Sequence, residues 1–257
     1  MSSRVNAEEL ATRVRDMYRH VAQQPHAGYH FELGRQLAVR LGYAIDLLDR
    51  IPAGAVESFA GVGYFFDLAD LGEGDAVIDL GSGAGMDAFY AAQLVGPSGR
   101  VVGIDFTIQQ LDKARRLAAD AGLHWVEFRE GRIERPPADD HSADCVISNG
   151  VINLSPDKQE VFAQAARLLR PGGRLAVADT VTERQLSDAI VANAELWASC
   201  IGGAAQQDAY HRAIEAAGLR VAEVRRNAYE FVSAQARNAT AAYGVKSVSL
   251  LAVKPSR

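Results

Sequence analysis

Cysteine is almost absent from the chain. Two thiols, Cys145 and Cys200, stand among 257 residues, too few to staple a small secreted scaffold. Long apolar runs are missing as well. None approaches the ~18 residues a helix needs to cross a bilayer, so no membrane partner is expected. Positive charge is not in excess either: 27 lysines and arginines face 32 acids, for a net charge of -5, and no basic block stands out. A nucleic-acid partner is therefore not expected. The first twenty residues hold Arg4, Glu8, Glu9, Arg13, Arg15, Asp16 and Arg19 with no apolar core behind them, unlike a signal peptide. The expectation is a cytoplasmic protein. Internal repeats and low-complexity linkers are also lacking. What remains, with 48% of residues hydrophobic, is enough chain to bury one sizeable α/β core with an extension.

That extension is residues 1–72. Leu10, Val14, Met17 and Val21 recur at helical spacing, and Leu33, Leu37, Leu41 and Leu48 repeat the pattern, punctuated by Gly42 and Pro52. These are amphipathic stripes, and they predict a helical lid. From residue 73 to 257 the period changes. Short apolar runs at Ala76–Leu80, Val101–Asp105, Val126–Glu130, Ala143–Asn149, Arg174–Asp179, Leu219–Arg226 and Ser247–Val253 alternate with helical segments. Helices are expected over Met86–Val95, Ile108–Ala121, Pro156–Leu169 (Ser155 as N-cap, Pro171-Gly172-Gly173 as terminator) and Asp208–Ala217. Strands alternating with helices imply a doubly wound, mostly parallel sheet buried on both faces. Seven strands are expected, and the last two are compatible with a terminal antiparallel hairpin, although sequence alone does not fix strand direction.

The most informative stretch is Asp79-Leu80-Gly81-Ser82-Gly83-Ala84-Gly85, a glycine loop between the first strand and its helix, with Asp105 ending the next strand. Ligands of open α/β sheets sit at the carboxyl ends of strands, where glycines admit close approach and an acid can accept from vicinal ribose hydroxyls. The glycines could also merely make a tight turn. A dinucleotide site prefers G-x-G-x-x-G with its pyrophosphate on the helix N-terminus. Here the sixth position is Met86, and Asp79 and Asp87 flank the loop with negative charge. That pattern suits a cationic sulfonium better than a pyrophosphate.

Residues 73–180 resemble class I methyltransferases throughout, and the likeness implies a Rossmann-like fold and S-adenosyl-L-methionine as cofactor. Asp79–Gly85 matches the first motif, Asp105 the ribose-binding acid, and Phe106-Thr107 the adenine region. Gly131-Arg132-Ile133 falls where such enzymes meet the adenine edge, and Ser148-Asn149-Gly150-Val151 ends the fourth strand beside the methionine moiety. The expected donor-binding set is Tyr18, Asp79, Gly81, Ser82, Gly83, Asp105, Phe106, Gln110, Arg132, Ile133 and Asn149. Two further segments, residues 146–158 and 195–204, resemble arsenite methyltransferases. That family holds As(III) with cysteine thiolates, one in the fourth-strand segment and one in a glycine-containing stretch comparable to Gly61-Val62-Gly63. This chain has Gly150 and no cysteine at those places, and only Cys200 matches a family thiol. One thiolate cannot make a trigonal sulfur site.

On the acceptor side the candidates are Tyr18, His26, His30, Asn149, Asn153, Trp197 and Cys200, with His30, Asn149 and Cys200 expected as the catalytic groups. No metal site is expected. The function expected is methylation of a small-molecule acceptor on an arsenite methyltransferase-like framework. The alternatives are true soft-metalloid methylation, O-, N- or C-methylation of a natural-product or quinone-like acceptor, a non-catalytic cofactor-binding module, and a nicotinamide-dependent oxidoreductase, against which Met86 and Asp87 argue. A homodimer is compatible with the sequence.

Overall fold

A computed structural model describes residues 6–29, 31–191, 193, 197, 201–232 and 234–256. Its centre is a sheet in the order β3-β2-β1-β4-β5-β8-β7. The strands are β1 Ala76–Leu80, β2 Arg100–Asp105, β3 Val126–Glu130, β4 Ala143–Asn149, β5 Leu169–Thr182, β6 Ala205–Gln206, β7 Arg220–Arg226 and β8 Lys246–Val253. β1 to β5 run parallel, and β8 pairs antiparallel with both β5 and β7. The expected mostly parallel sheet is present, and the direction the sequence left open is antiparallel for the β7–β8 pair. The additional strand β6, two residues pairing with β5, is too short to leave a periodic signal.

The near-continuous apolar strands are explained by two cores. Val77, Val101, Val126, Cys145, Ile147 and Ala176 face one side, and their neighbours Ile78, Val102, Val146, Leu175 and Val177 face the other. Successive strand residues point to opposite faces, so both must be apolar when helices cover both sides. The first face is covered by α6 Met86–Val95 and α7 Ile108–Asp120, the second by α8 Lys158–Leu168 and the helix Gln207–Ala216. Fully buried rings such as Phe89 and Phe162 are each worth about 1.5–3 kcal/mol relative to exposure.

The N-terminal stretch is less regular than its leucine spacing suggests. α1 Ala7–Gln23 forms as expected, with the Asn6 side chain accepting from the Glu8 and Glu9 amides and with Leu10, Val14 and Val21 buried. The second stripe breaks into α2 Arg35–Leu41, α3 Ile45–Leu48, α4 Ala53–Glu57 and α5 Phe66–Ala69. Leu33 lies before the helix because Gly34, at φ +85°, starts it. Leu37, Tyr43, Phe59 and Phe66 pack into the same core as Val77 and Phe89. Two boundaries also shift. Asp157, not Ser155, caps α8 through the Glu160 amide, while Ser155 Oγ donates to Glu134. Residues 170–173 belong to β5, where the pairing register with β4 slips.

Candidate active site

The glycine loop is built by the two strands it joins. Gly81 and Ser82 donate their amides to the Ile104 carbonyl at 2.8 and 3.1 Å. Gly83 donates to Asp105 Oδ2 at 2.9 Å, and Thr107 donates to Asp105 Oδ1 at 2.8 Å. Gly81 and Gly83 sit at φ +80° and +52°, backbone that side-chain-bearing residues adopt at a cost. A Cβ on Gly81 would lie 2.5 Å from Val151 Cγ1, whereas one on Gly83 would meet nothing within 4 Å, because it faces open space.

That space is a cleft at the carboxyl ends of β1, β2 and β4, where ligands of open α/β sheets bind. The loop, Asp79, Asp87, Asp105, Asn149, Gln110 and Tyr18 line it. A second, smaller chamber is bounded by Phe106, Arg132, Ile133 and Glu134 and shares the Gly81, Asp105 and Phe106 wall. Each of the expected donor-binding residues lines one or both of these two chambers. Phe106 is flanked by two guanidiniums, with Arg15 and Arg132 centred 5.2 and 6.0 Å from its ring.

The larger chamber is acidic. Asp79, Asp87 and Asp105 line it, and no lysine, arginine or histidine among the described residues does. Burial pushes the Asp79 carboxyl well up, with Asp87 and Asp105 adding like charge. Burial lifts Asp87 to about 6, against hydrogen bonds from Tyr43 and Asn149 that lower it. Burial also raises Asp105, opposed by the Thr107 and Gly83 amides. Three buried polar atoms on this wall, Asp79 Oδ2, Ser82 Oγ and Gln110 Oε1, have no hydrogen-bond partner among the described residues. Unmet buried polar atoms are costly, and three around one cleft fit a ligand carrying a cation, hydroxyls and amino hydrogens.

Asn149 is more occupied than a free catalytic amide. Its Oδ1 accepts from the Val62 and Gly63 amides at 2.8 and 3.3 Å, and its Nδ2 lies 3.0 Å from both Asp87 Oδ2 and the Gly63 carbonyl. Tyr43, which sequence reasoning missed, donates to Asp87 Oδ1 at 2.6 Å. Tyr18 reaches the cleft from α1, and its carbonyl accepts from Gln110 Nε2 at 2.9 Å. His26 is exposed and off the cleft. Asn153 is fully buried and donates to Asp179 Oδ1 at 2.7 Å. Trp197 packs with Leu10, Val14 and Leu154, its ring under the Lys158 ammonium. His30 and Cys200 lie outside the described residues. Cys145 is buried in β4, and burial pushes its thiol up to about 12.

Comparison with known proteins identifies relatives of the chain. The family described as Methyltransferase domain matches residues 71–218. The arsenite methyltransferase of Halobacterium salinarum is 38% identical over 85% of this chain and 56% of its own length. That of Aquipseudomonas alcaligenes is 45% identical over 51% of this chain and 40% of its own. The chain thus spans about half the length of the curated relatives it matches. A crystal structure of an arsenic(III) S-adenosylmethionine methyltransferase from Chlamydomonas reinhardtii superposes with a TM-score of 0.64 at 30% identity, covering 87% of this chain and 74% of that one. The chain belongs to the class I S-adenosylmethionine-dependent methyltransferase family, with arsenite methyltransferases among its relatives.

Proposed function

We propose that the chain is an S-adenosylmethionine-dependent methyltransferase acting on a small-molecule acceptor. The observation that carries this reading is the acidity of the larger chamber: three buried carboxyl groups, one with an unpartnered oxygen, whose charge burial disfavours until a cation compensates it, and no cationic lining residue among those described. A pyrophosphate would meet like charge there, while a sulfonium bearing an ammonium meets its complement.

In this reading Gly81, Ser82 and Gly83 provide the close approach, and Asp105 takes the ribose hydroxyls. Phe106, Arg132 and Ile133 bound the adenine, Tyr18 and Gln110 close the cleft from α1 and α7, and Asp79 and Asn149 flank the methionine end. Bound there, the cofactor supplies an electrophilic methyl group on a sulfonium. The chain's contribution is to orient and to exclude water. A base matters only where the nucleophile carries a proton. His30 and Cys200 are proposed, with Asn149, to face the acceptor.

An acceptor other than a soft metalloid is favoured. Gly150 has φ +71°, and a Cβ there would stand 3.4 Å from Val62 Cγ1. Val62 is buried, so apolar packing fills the space beside the fourth strand. The identity to arsenite methyltransferases keeps metalloid methylation as the second reading. The same proposal takes residues 1–72 as a lid over residues 73–257, supported by Val14 and Tyr18 on the cleft wall. No helix among the described residues is long and apolar enough to cross a membrane. A cytoplasmic setting is inferred from the sparse cysteines, and a homodimer is the assembly for light scattering to test.

The test is an acceptor screen read by S-adenosylhomocysteine formation and by mass gain of one methyl group. Catechol, quinol and amine acceptors form one arm, and arsenite with glutathione forms the other. Methyl transfer in the first arm alone is expected. Turnover of arsenite alone would transfer the assignment to the metalloid reading, and no transfer to any acceptor, with the cofactor bound, would leave a binding module.

A further inference from the structure

One cluster on the cleft wall is not explained by donor binding alone. Asp87, at the start of α6, takes a 2.6 Å hydrogen bond from Tyr43 Oη on Oδ1 and a 3.0 Å bond from Asn149 Nδ2 on Oδ2. Asn149 in turn holds both amides of the Val62-Gly63 step and the Gly63 carbonyl. From the other side Ser247 Oγ donates to the Val62 carbonyl at 2.6 Å. Residues 61–63 therefore form a strap whose inner anchor is one buried carboxylate, and Gly61, Asn149 and Asp87 all line the cleft.

We propose that Asp87 is a positioning residue: its ionised carboxylate locks the 61–63 strap through Tyr43 and Asn149, and the cationic donor binds in preference to this locked state. This rests on the reading that the cleft takes S-adenosylmethionine. Ionised, Asp87 offers only acceptors, which both neighbours satisfy. Protonated on Oδ2, it would present hydrogen to the Asn149 amide hydrogens and break that bond. Protonated on Oδ1, it would reverse the Tyr43 hydroxyl toward the Gly63 carbonyl, 3.4 Å away. Either way a short charge-assisted bond gives way to weaker ones. The titratable groups facing Asp87 are Tyr43, from the turn after α2, and Asp79 on β1. Asp105 acts on Asp79 from β2. Tyr43 is held neutral by burial and by Asp87. A positive charge in the cleft stabilises the ionised acid, so donor binding releases the proton.

The experiment is titration calorimetry of S-adenosylmethionine and of S-adenosylhomocysteine, the zwitterionic product that lacks the sulfonium charge, between pH 5 and 7.5, with amide hydrogen exchange of residues 61–63 alongside. Affinity for the cation is expected to rise about tenfold over this range, affinity for the product to stay nearly flat, and strap exchange to slow as pH rises beyond the intrinsic chemical trend. Asp87→Asn should flatten the profile and loosen the strap. Tyr43→Phe, which keeps the fold's ring packing, should shift the midpoint to higher pH. Binding of both ligands with the same pH profile in wild type and both variants would overturn the role of Asp87 and leave the cofactor reading intact. Binding of neither ligand would overturn both.

Discussion

The Gly83 amide donates to Asp105 Oδ2 at 2.9 Å, joining the turn after β1 to the end of β2. One carboxylate thus holds the loop and faces the cleft. Asp105→Ala should weaken S-adenosylmethionine binding by about 10–100-fold, because hydrogen bonds to a charged group contribute about 1.5–3 kcal/mol. Asp105→Asn should recover part of the loss, since its carbonyl can still accept from one amide. Calorimetry on the folded variants measures both.

Gly81 and Gly83 should separate stability from binding. Gly81→Ala drives a Cβ into Val151 at left-handed backbone, and a loss of about 1–3 kcal/mol of stability is expected. Gly83→Ala enters open space. It should cost only about 1 kcal/mol of stability yet reduce donor affinity at least as much as Gly81→Ala does. A smaller loss of affinity in Gly83→Ala than in Gly81→Ala would contradict the placement of the ligand beside Gly83, and equal denaturant midpoints would contradict the Gly81 clash with Val151.

Stability should fall as pH rises through weak acid. Asp87 ionises near 3.8 when unfolded and at about 6 when folded, so the folded state binds the extra proton. Its stabilisation is complete below the unfolded value and is lost as pH rises through about 6, up to about 3 kcal/mol at 1.36 kcal/mol per unit. Asp79, Asp105 and Asp179 shift in the same direction. Glu127, held down to about 2 by Arg129 and Arg100, acts oppositely and only in stronger acid. The ligand-free Tm should decline between pH 5 and 7.5, and Asp87→Asn should flatten that decline. A rising Tm over this range would contradict the buried-acid account.

Tyr210 offers a control away from the cleft. Its hydroxyl donates to Asp179 Oδ2 at 2.8 Å, and Asn153 holds Oδ1. Tyr210→Phe leaves a buried carboxylate oxygen without that donor and should destabilise by about 1–3 kcal/mol. Donor affinity at saturating stability should stay within about twofold, because Tyr210 is absent from both cleft chambers. Denaturant unfolding and calorimetry on one preparation decide it.

The parts of this architecture legible in the sequence are those with local physical signatures. β1, β2 and β4 are runs that must be apolar on both faces, and the loop's glycines are set by backbone conformation and approach. The residues proposed there for donor binding could be named because strand ends in such sheets converge on one crevice and because their segments resemble class I methyltransferase motifs. Tyr43 and Asp87 could not be paired, since they are 44 residues apart and nothing periodic connects a turn tyrosine to a helix acid. Asn149 was legible as a strand-end residue, but its ties to Val62 and Gly63 depend on a loop crossing that only tertiary packing creates. The short helices between Arg35 and Ala69 were masked by leucines whose spacing happens to continue across breaks at Gly42 and Pro52.

The central claim is that the acidic glycine-loop cleft binds a sulfonium cofactor. Thermal unfolding with S-adenosylmethionine, S-adenosylhomocysteine and NAD tests it most directly. A ligand at about 100 times its Kd stabilises by about 2.7 kcal/mol, and both adenosyl ligands are predicted to raise the Tm while NAD leaves it unchanged. A shift with NAD, or none with either adenosyl ligand, would contradict the account.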